Sequence, residues 1–163
     1  NYYGIMIDIS HPSKEAIRQM IELSKAPVIA SHSSARALRD HSRNLDDEQL
    51  EWVKQNGGVI QTVALGNYLT DRKDPPPNIE DFIDHIDYMV DKIGIDHVGI
   101  SSDFDGGGGI EGWKDASETK NVTSALRNRG YSDGEIAKIW GGNLMRVLDE
   151  VQNIAEQMQK GEL

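Results

Sequence analysis

Short apolar runs alternate with helix-length amphipathic segments along most of this chain, and this alternation limits the fold more than any other feature. The runs have the length of β-strands, and they cover residues 5–9, 28–30, 58–65 and 97–101. Parallel strands need a crossover connection, commonly a helix, whereas antiparallel strands can be joined by a tight turn. Strands that alternate with helices therefore predict an α/β fold with a parallel sheet.

The segments between and after these runs carry helical patterns. Residues 79–93 have apolar side chains at intervals of three and four, and Gly94 marks the end. The other predicted helices are residues 13–25, behind Pro12; residues 46–53, which begin with acidic side chains and stop before residues 56–58; residues 119–129; one begun by Ser132 with Glu135 three positions later; and one capped by Asn143. The order predicts four βα units followed by a helical tail.

Four successive right-handed βα units build half of a curved sheet with its helices outside. Half a barrel exposes two unpaired sheet edges. An open flavodoxin-like sheet would avoid this difficulty, but a phosphate-binding loop usually follows its strands, and none is found here. We therefore predict the C-terminal half of a (β/α)8 TIM-type barrel, with residues 1–163 as a single partial domain. Residues 2–9 already have the pattern of a buried strand, so we expect the chain to begin inside a domain whose N-terminal half is absent.

The composition argues against several classes of function. Lys and Arg number 17 against 27 Asp and Glu, and the resulting charge of −10 argues against a nucleic-acid partner. No apolar run is long enough for a transmembrane segment. The absence of cysteine excludes disulfides and thiolate ligands. The cellular compartment stays open, because neither the cysteine content nor the lack of a signal peptide decides it.

Histidines follow the first two predicted strands. His11 and His32 each stand two positions beyond a strand and are 21 residues apart, which is about one βα unit. The carboxyl ends of neighbouring parallel strands lie at one rim, about 4.8 Å apart, so both imidazoles can reach one ion. Neutral imidazole is a favoured ligand of zinc and its neighbours. A single rim histidine is commonly structural, but equivalent positions on consecutive strands predict a shared metal site.

Two charged residues could act beside these histidines. Asp103 follows the last predicted strand, where its carboxylate could bind metal, move a proton or merely cap a turn. Arg43 could hold a substrate carboxylate with two parallel hydrogen bonds, or it could pair with Asp46 or Asp47. The glycines at residues 106–109 could cradle a phosphate, but no Lys follows them directly, which makes this the weaker interpretation.

A His-x-Asp triplet at residues 85–87 would be a metal pair on a strand, but it lies in the predicted helix 79–93. Residues two apart on a helix point about 200° away from each other, so we expect a solvated helix face here. His41 and His97 have no comparable support. Three tryptophans are expected to pack against the protein rather than to stack on a ligand: Trp52, Trp113 and Trp140.

Five segments, in this order and at these intervals, resemble the renal (membrane) dipeptidase family, a branch of the amidohydrolase superfamily. They are GIMIDISH, PVIASHSSARAL, HSRNLDDEQL, DHVGISSDFDG and GGNLMRVL, and the similarity covers almost the entire chain. The resemblance implies a distorted (β/α)8 barrel with two zinc ions, in which His11 and His32 are strand-end ligands of the second ion. It implies that Arg43 holds the substrate's carboxylate and that Tyr68 lies near the substrate. Asp103 matches a proton carrier that stands beside the bridging water and contacts the substrate's amino group.

The activity that the resemblance implies is zinc-dependent hydrolysis of dipeptides, in which a hydroxide that bridges the metal ions attacks the peptide carbonyl. The family's first-strand His-x-Asp pair, its bridging Glu and a further substrate-contacting His belong to the earlier half and cannot be placed here. We therefore expect the chain to need that half, to bind metal weakly and to be inactive when isolated. Association into a homodimer stays open. Two alternatives remain: a dipeptidase-like scaffold that binds without hydrolysis, and an amidohydrolase that acts on another small amide.

Overall fold

The computed structural model describes residues 1–163, and a parallel sheet of three strands lies at its centre. The strands are β1 (Ile29–Ala30), β2 (Val59–Val63) and β3 (Val98–Ser101). They lie side by side in chain order, with Ile60 between Ala30 and Val98. This arrangement confirms the predicted α/β class with a parallel sheet. It contains no point at which the strand order reverses, a feature that flavodoxin-like sheets have.

The segment before β1 pairs with the sheet more briefly than the sequence predicts. Asp8 forms a single parallel bridge with Ile29. Two hydrogen bonds flank it, from Ile9 N–H to the Ile29 carbonyl (2.8 Å) and from Ile29 N–H to the Ile7 carbonyl (2.9 Å). The prediction of a buried strand over residues 2–9 is wrong in its first half, since Ile5 is 69% exposed. Because β1 is only two residues long, it offers backbone partners to the end of this segment alone.

Seven α-helices connect and follow the strands. They are α1 (Lys14–Leu23), α2 (Asp47–Asn56), α3 (Gly66–Leu69), α4 (Ile79–Ile93), α5 (Thr119–Asn128), α6 (Asp133–Ala137) and α7 (Asn143–Lys160). The predicted order of the helices is confirmed, apart from α3, which periodicity cannot reveal because it spans little more than one turn. Of the four predicted strands, the first is reduced to the bridge at Asp8, and the other three form the sheet in the predicted order. None of these helices combines the length and the apolar character that a bilayer crossing requires.

Local sequence sets the helix ends. The Asp46 side chain accepts the Gln49 N–H while the Gln49 side chain accepts the Asp46 N–H, which is a capping box at the start of α2. Gly57 ends α2 in the left-handed conformation that glycine adopts without strain. Ser132 and Glu135 form the predicted capping box of α6. These caps explain why the sequence places the helices well.

Helix α4 begins and ends where its apolar periodicity predicts, but the expectation of a solvated face at His85 is wrong. His85 lies three residues after Phe82 and four before Met89, so it belongs to the same buried stripe. Its Nδ1 accepts the Ala35 N–H (3.1 Å), and its Nε2 donates to the Leu69 carbonyl (3.0 Å). A buried imidazole with both nitrogens satisfied is a structural group, and burial lowers its pKa.

Asn143 does not cap α7, contrary to the sequence prediction. The chain is kinked at Gly141, which has non-helical backbone angles, but the backbone at Asn143, two residues later, is already helical. Its buried side-chain amide instead donates to the carbonyls of Ile95 (2.7 Å) and Val98 (2.8 Å). Asn143 therefore ties the start of α7 to the start of β3.

The two faces of the sheet pack against different helices, because alternate residues of a strand point to opposite sides. Ile60 belongs to the main core, which it forms with side chains of α1, α2, α4 and α5. Val59 packs instead with Val147 and Val151 of α7. Helices thus lie against both faces of the sheet, and the loops at the carboxyl ends of the strands carry the candidate site.

Candidate metal and substrate site

The two histidines predicted as metal ligands face each other at the ends of neighbouring segments. His11 follows the segment that bridges to β1, and His32 follows β1 itself. Their Nε2 atoms lie 2.9 Å apart. This is a hydrogen-bonding distance. Two nitrogens bound tetrahedrally to one zinc ion, each at about 2.0–2.1 Å, would lie about 3.3 Å apart, so the rings would need to separate by only about 0.4 Å to share an ion.

The two imidazoles do not by themselves make a complete metal site. No group of three or more His, Cys, Asp or Glu side chains lies close enough together to hold a metal ion. Zinc sites use three or four protein ligands, so two imidazoles alone would leave such a site incomplete. Imidazole nitrogen is nevertheless a donor that zinc favours.

A polar network that the sequence analysis did not find joins the two histidine-bearing segments. The Asp8 carboxylate accepts the backbone N–H groups of Ser10 and Ser31, both at 3.0 Å, and both serine hydroxyls. Ser31 Oγ lies 2.8 Å from His32 Nδ1, and Ser10 Oγ accepts the His32 N–H (3.0 Å). The sequence signal for this network is the serine that precedes each histidine.

The hydrogen bonds to Asp8 also set its charge. Burial alone would raise the pKa of Asp8, but the hydrogen bonds from Ser31 and Ser10 outweigh burial and lower the pKa below its usual value. The carboxylate is therefore ionised at neutral pH. An ionised carboxylate accepts hydrogen bonds and cannot donate one, which fixes the direction of each bond in the network.

Arg43 lies against the histidine pair rather than against an acidic side chain. Its Nη2 is 3.2 Å from His32 Nε2, and its Nε donates to the Ser10 carbonyl (3.2 Å). Asp46 and Asp47, the alternative partners, pair with other cationic side chains. The interpretation of Arg43 as their partner is therefore wrong, and its guanidinium remains available to an anion.

Three arginines lie in the loop after His32, and two of them have acidic partners: Arg36 pairs with Asp46, and Arg39 pairs with Asp71. Burial lowers the pKa of His41, and the charges of Arg39, Arg43 and Arg36 lower it further. His41 Nδ1 accepts the Arg43 N–H (3.2 Å), as a neutral imidazole can. Arg43 has no acidic partner among the ion pairs of the chain, so it is the arginine of this loop that a carboxylate could bind.

Tyr68, on α3, lies beside Arg43. The Arg43 Cζ atom is 5.8 Å from the centre of the Tyr68 ring, and the His41 ring is 4.4 Å from it. The buried Asn44 amide donates to the carbonyls of Tyr68 (2.8 Å) and Arg39 (2.9 Å). Asn44 thereby holds the arginine-rich loop against α3, and the structure brings Tyr68 and Arg43 together.

Asp103 follows β3 at the same edge of the sheet, in a glycine-rich turn. It is the one non-glycine residue with positive φ, at 50°. Its carbonyl accepts the N–H groups of Gly106 (2.9 Å) and Gly108 (2.8 Å). A Cβ atom at Gly108 would overlap the backbone carbonyl of Ser102, so the turn needs glycine at that point. The structure does not bring Asp103 into one ligand group with the two histidines, and its carboxylate does not cap the turn.

The largest surface cavity lies away from these residues. It has a volume of about 520 Å³ and is a groove between α1 and α2, lined by Ile21, Trp52 and polar side chains. The candidate site is therefore an open edge at the strand ends and not an enclosed pocket.

Trp113 and Trp140 pack against each other with ring centres 6.2 Å apart, as expected of structural tryptophans.

Comparison with known proteins points to the family that the sequence resembles. The model of the membrane dipeptidase family, peptidase family M19, matches residues 1–162. Dipeptidase tcpJ of Claviceps purpurea is 41% identical over 162 residues, which are 99% of this chain and 38% of that protein.

Two solved structures are similar to this chain in both fold and sequence. The probable dipeptidase PvdM from Pseudomonas aeruginosa matches with a TM-score of 0.88 and 40% identity, over 92% of this chain and 51% of that one. A metallopeptidase from Rhodobacter sphaeroides, liganded with a phosphinate mimic of the dipeptide L-Ala-D-Ala, matches with a TM-score of 0.82 and 31% identity, over 91% and 43%. This chain thus spans between 38% and 51% of the length of these three relatives. It belongs to the membrane dipeptidase family, peptidase family M19.

Proposed function

We propose that the protein hydrolyses dipeptides with bound zinc, and that this chain supplies two zinc ligands, His11 and His32. The observation that carries the proposal is the approach of their Nε2 atoms to 2.9 Å, beside the available guanidinium of Arg43. Family membership supports it, since the Claviceps relative is named a dipeptidase and the Rhodobacter protein binds a dipeptide mimic. Zinc at this position would polarise the peptide carbonyl and lower the pKa of the attacking water.

We also propose that the sheet is the C-terminal half of a TIM-type barrel. Its strands are neighbours in chain order, as in such a barrel, and the candidate residues gather at the carboxyl ends of the strands, where barrel enzymes place their active sites. The two-histidine donor set supports the same proposal, because a catalytic zinc ion needs at least one further protein ligand. In this proposal the missing ligands come from sequence outside residues 1–163.

Arg43 binds the terminal carboxylate of the dipeptide. Its guanidinium is 3.2 Å from the ring of a proposed metal ligand, so a carboxylate held there would lie close to the metal. The carboxylate of a dipeptide is about one residue, or 3.8 Å, from its peptide bond, which suits this short separation. Tyr68 packs beside the guanidinium and limits its movement. This geometry favours short substrates with a free carboxylate.

Asp103 carries the proton in the proposed reaction. Its carboxylate accepts a proton from the attacking water and passes it to the amine of the leaving residue. The left-handed backbone at Asp103 and the close approach of Gly106 limit the positions that the carboxylate can take. The same carboxylate contacts the amino group of the substrate in this proposal.

Substitution of His32 by Ala in the full-length protein tests the proposed function. We expect a loss of bound zinc and a fall in dipeptide turnover of at least about 100-fold, because the proposed metal site loses one of its few ligands. His97→Ala is the matched control, since His97 donates to the Gly58 carbonyl outside the site. Zinc content by mass spectrometry and turnover of L-Ala-L-Ala and L-Ala-D-Ala measure both effects. Unchanged zinc content and turnover in the His32 variant would refute the proposal.

A further inference from the structure

The hydrogen bonds around His32 determine which ring nitrogen carries its proton. The Asp8 carboxylate has no proton to give, so the Ser31 hydroxyl donates to it. Ser31 Oγ therefore faces His32 Nδ1, 2.8 Å away, as an acceptor, and Nδ1 is the donor. A neutral imidazole holds one proton, so the Nε2 of His32 presents a lone pair.

Arg43 leads to the same tautomer from the opposite side of the ring. A guanidinium only donates hydrogen bonds, and Arg43 Nη2 lies 3.2 Å from His32 Nε2. That nitrogen must therefore be the acceptor. The contacts from Ser31 and Arg43 share no atom, so two independent constraints agree.

From this geometry we propose that Asp8 is a positioning residue of the metal site, which acts through Ser31 to hold His32 in its Nδ1–H tautomer with Nε2 directed at the ion. The inference rests on the proposed function, in which His32 binds zinc. Metal-binding histidines commonly donate their second ring N–H to an oxygen, which fixes the orientation of the ring. Asp8 also accepts two hydrogen bonds from Ser10, the neighbour of His11, so a single carboxylate aligns both ligand-bearing segments.

Substitutions at Ser31 in the full-length protein test this role. Ser31→Ala removes the link while leaving Asp8 and His32 in place, and we expect it to weaken zinc binding about 10- to 100-fold. Ser31→Thr keeps a hydroxyl and should restore most of the affinity. Asp8→Asn should also weaken binding, whereas the exposed Asp149→Asn should leave it unchanged. Competition with a chromophoric chelator measures each zinc dissociation constant.

A second measurement reads the tautomer without metal. Long-range proton–nitrogen correlation spectra of the metal-free protein at about pH 8, above the ordinary pKa of imidazole, should show His32 protonated at Nδ1, and Ser31→Ala should reduce this preference to what the Arg43 contact alone maintains. An Nε2–H tautomer in the unmodified protein, or a Ser31→Ala affinity within about threefold of it, would overturn the inference. If the unmodified protein bound no zinc, the proposed function would fail, and the tautomer spectra would still decide the role of Asp8. If Asp8→Asn did not fold, Ser31→Ala would carry the test.

Discussion

Arg43 keeps a positive charge that no acidic side chain of the chain neutralises. Its partners are the Ser10 carbonyl, His32 Nε2 and the Tyr68 ring, all of which are formally neutral. A hydrogen bond to a charged partner contributes about 1.5–3 kcal/mol, more than one between neutral groups. The strongest interaction available to this guanidinium is therefore with an incoming anion, and the proposed anion is the carboxylate of a dipeptide.

Paired substrates can isolate this interaction. For the unmodified full-length protein, we expect kcat/KM to fall about 10- to 100-fold when the dipeptide is replaced by its C-terminal amide, because the charge-assisted hydrogen bonds are lost. Arg43→Met should lower kcat/KM for the dipeptide to the level of the amide and should cost little more on the amide itself. Arg127→Met, which removes an exposed ion pair with Asp133, is the control. Equal losses on both substrates would show that Arg43 acts on something other than the carboxylate.

At the scale of single residues, the sequence predicts positions better than it predicts partners. The strand-end spacing of His11 and His32 is visible in the sequence because it follows the βα repeat. The contacts of Asp8 are not visible in the sequence, since its hydrogen bonds with Ser31 join residues 23 positions apart and depend on the register of two segments. Side-chain hydrogen bonds of this kind have no periodicity that a single sequence could show.

Individual elements differ in how much of their structure is local. Helix α4 follows from its own periodicity and caps, and the structure confirms its bounds. The junction of Lys138–Gly142 with α7 cannot be predicted from local sequence in this way, because its geometry depends on what Asn143 contacts in another element. The mistaken cap at Asn143 came from a local rule, under which Asn before an amphipathic segment satisfies free backbone N–H groups. Here the amide satisfies two distant carbonyls instead.

The role of Asn143 as a link between elements can be measured through stability. Asn143→Ala should lower the free energy of unfolding by about 1–3 kcal/mol, because the carbonyls of Ile95 and Val98 lose a buried donor. Asn143→Asp should cost more, since it places an acceptor against those carbonyls. The exposed Asn128→Ala, with an expected change within about 0.5 kcal/mol, is the matched control. Urea unfolding followed by circular dichroism gives all three values, and an Asn143→Ala change as small as that of the control would contradict this role.

At the scale of the whole molecule, the site contains a cation without an acidic partner, whereas burial in the core favours the neutral form of an ionisable group. The chain carries a formal charge of −10, yet Arg43 beside the histidine pair has no acidic partner. The core holds one ionisable group, His85, which joins α4 to Ala35 in the loop after β1 and to Leu69 of α3. A proton on His85 would break its contact with the loop after β1, since Nδ1 would lose its lone pair and no longer accept the Ala35 N–H, while Nε2 could still donate to the Leu69 carbonyl.

Stability should therefore fall as the pH decreases from about 7 to 5. Burial lowers the pKa of His85, and the Leu69 carbonyl and the charges of Asp84 and Asp81 offset only part of this effect. The unfolded chain takes up the proton near its ordinary pKa of about 6.5, while the folded chain resists it, so the stabilisation is complete above that pH and is lost as the pH falls towards the folded pKa. The free energy of unfolding falls by at most about 1.4 kcal/mol per pH unit for each proton taken up.

In the His85→Gln variant, the free energy of unfolding should change less steeply with pH over this range. The slope should not be zero, because the lowered pKa of His41 acts in the same direction. Carboxylates contribute little in this window, since Asp and Glu titrate near pH 4. Equal slopes for both proteins, from urea unfolding at each pH, would show that His85 does not couple protonation to folding.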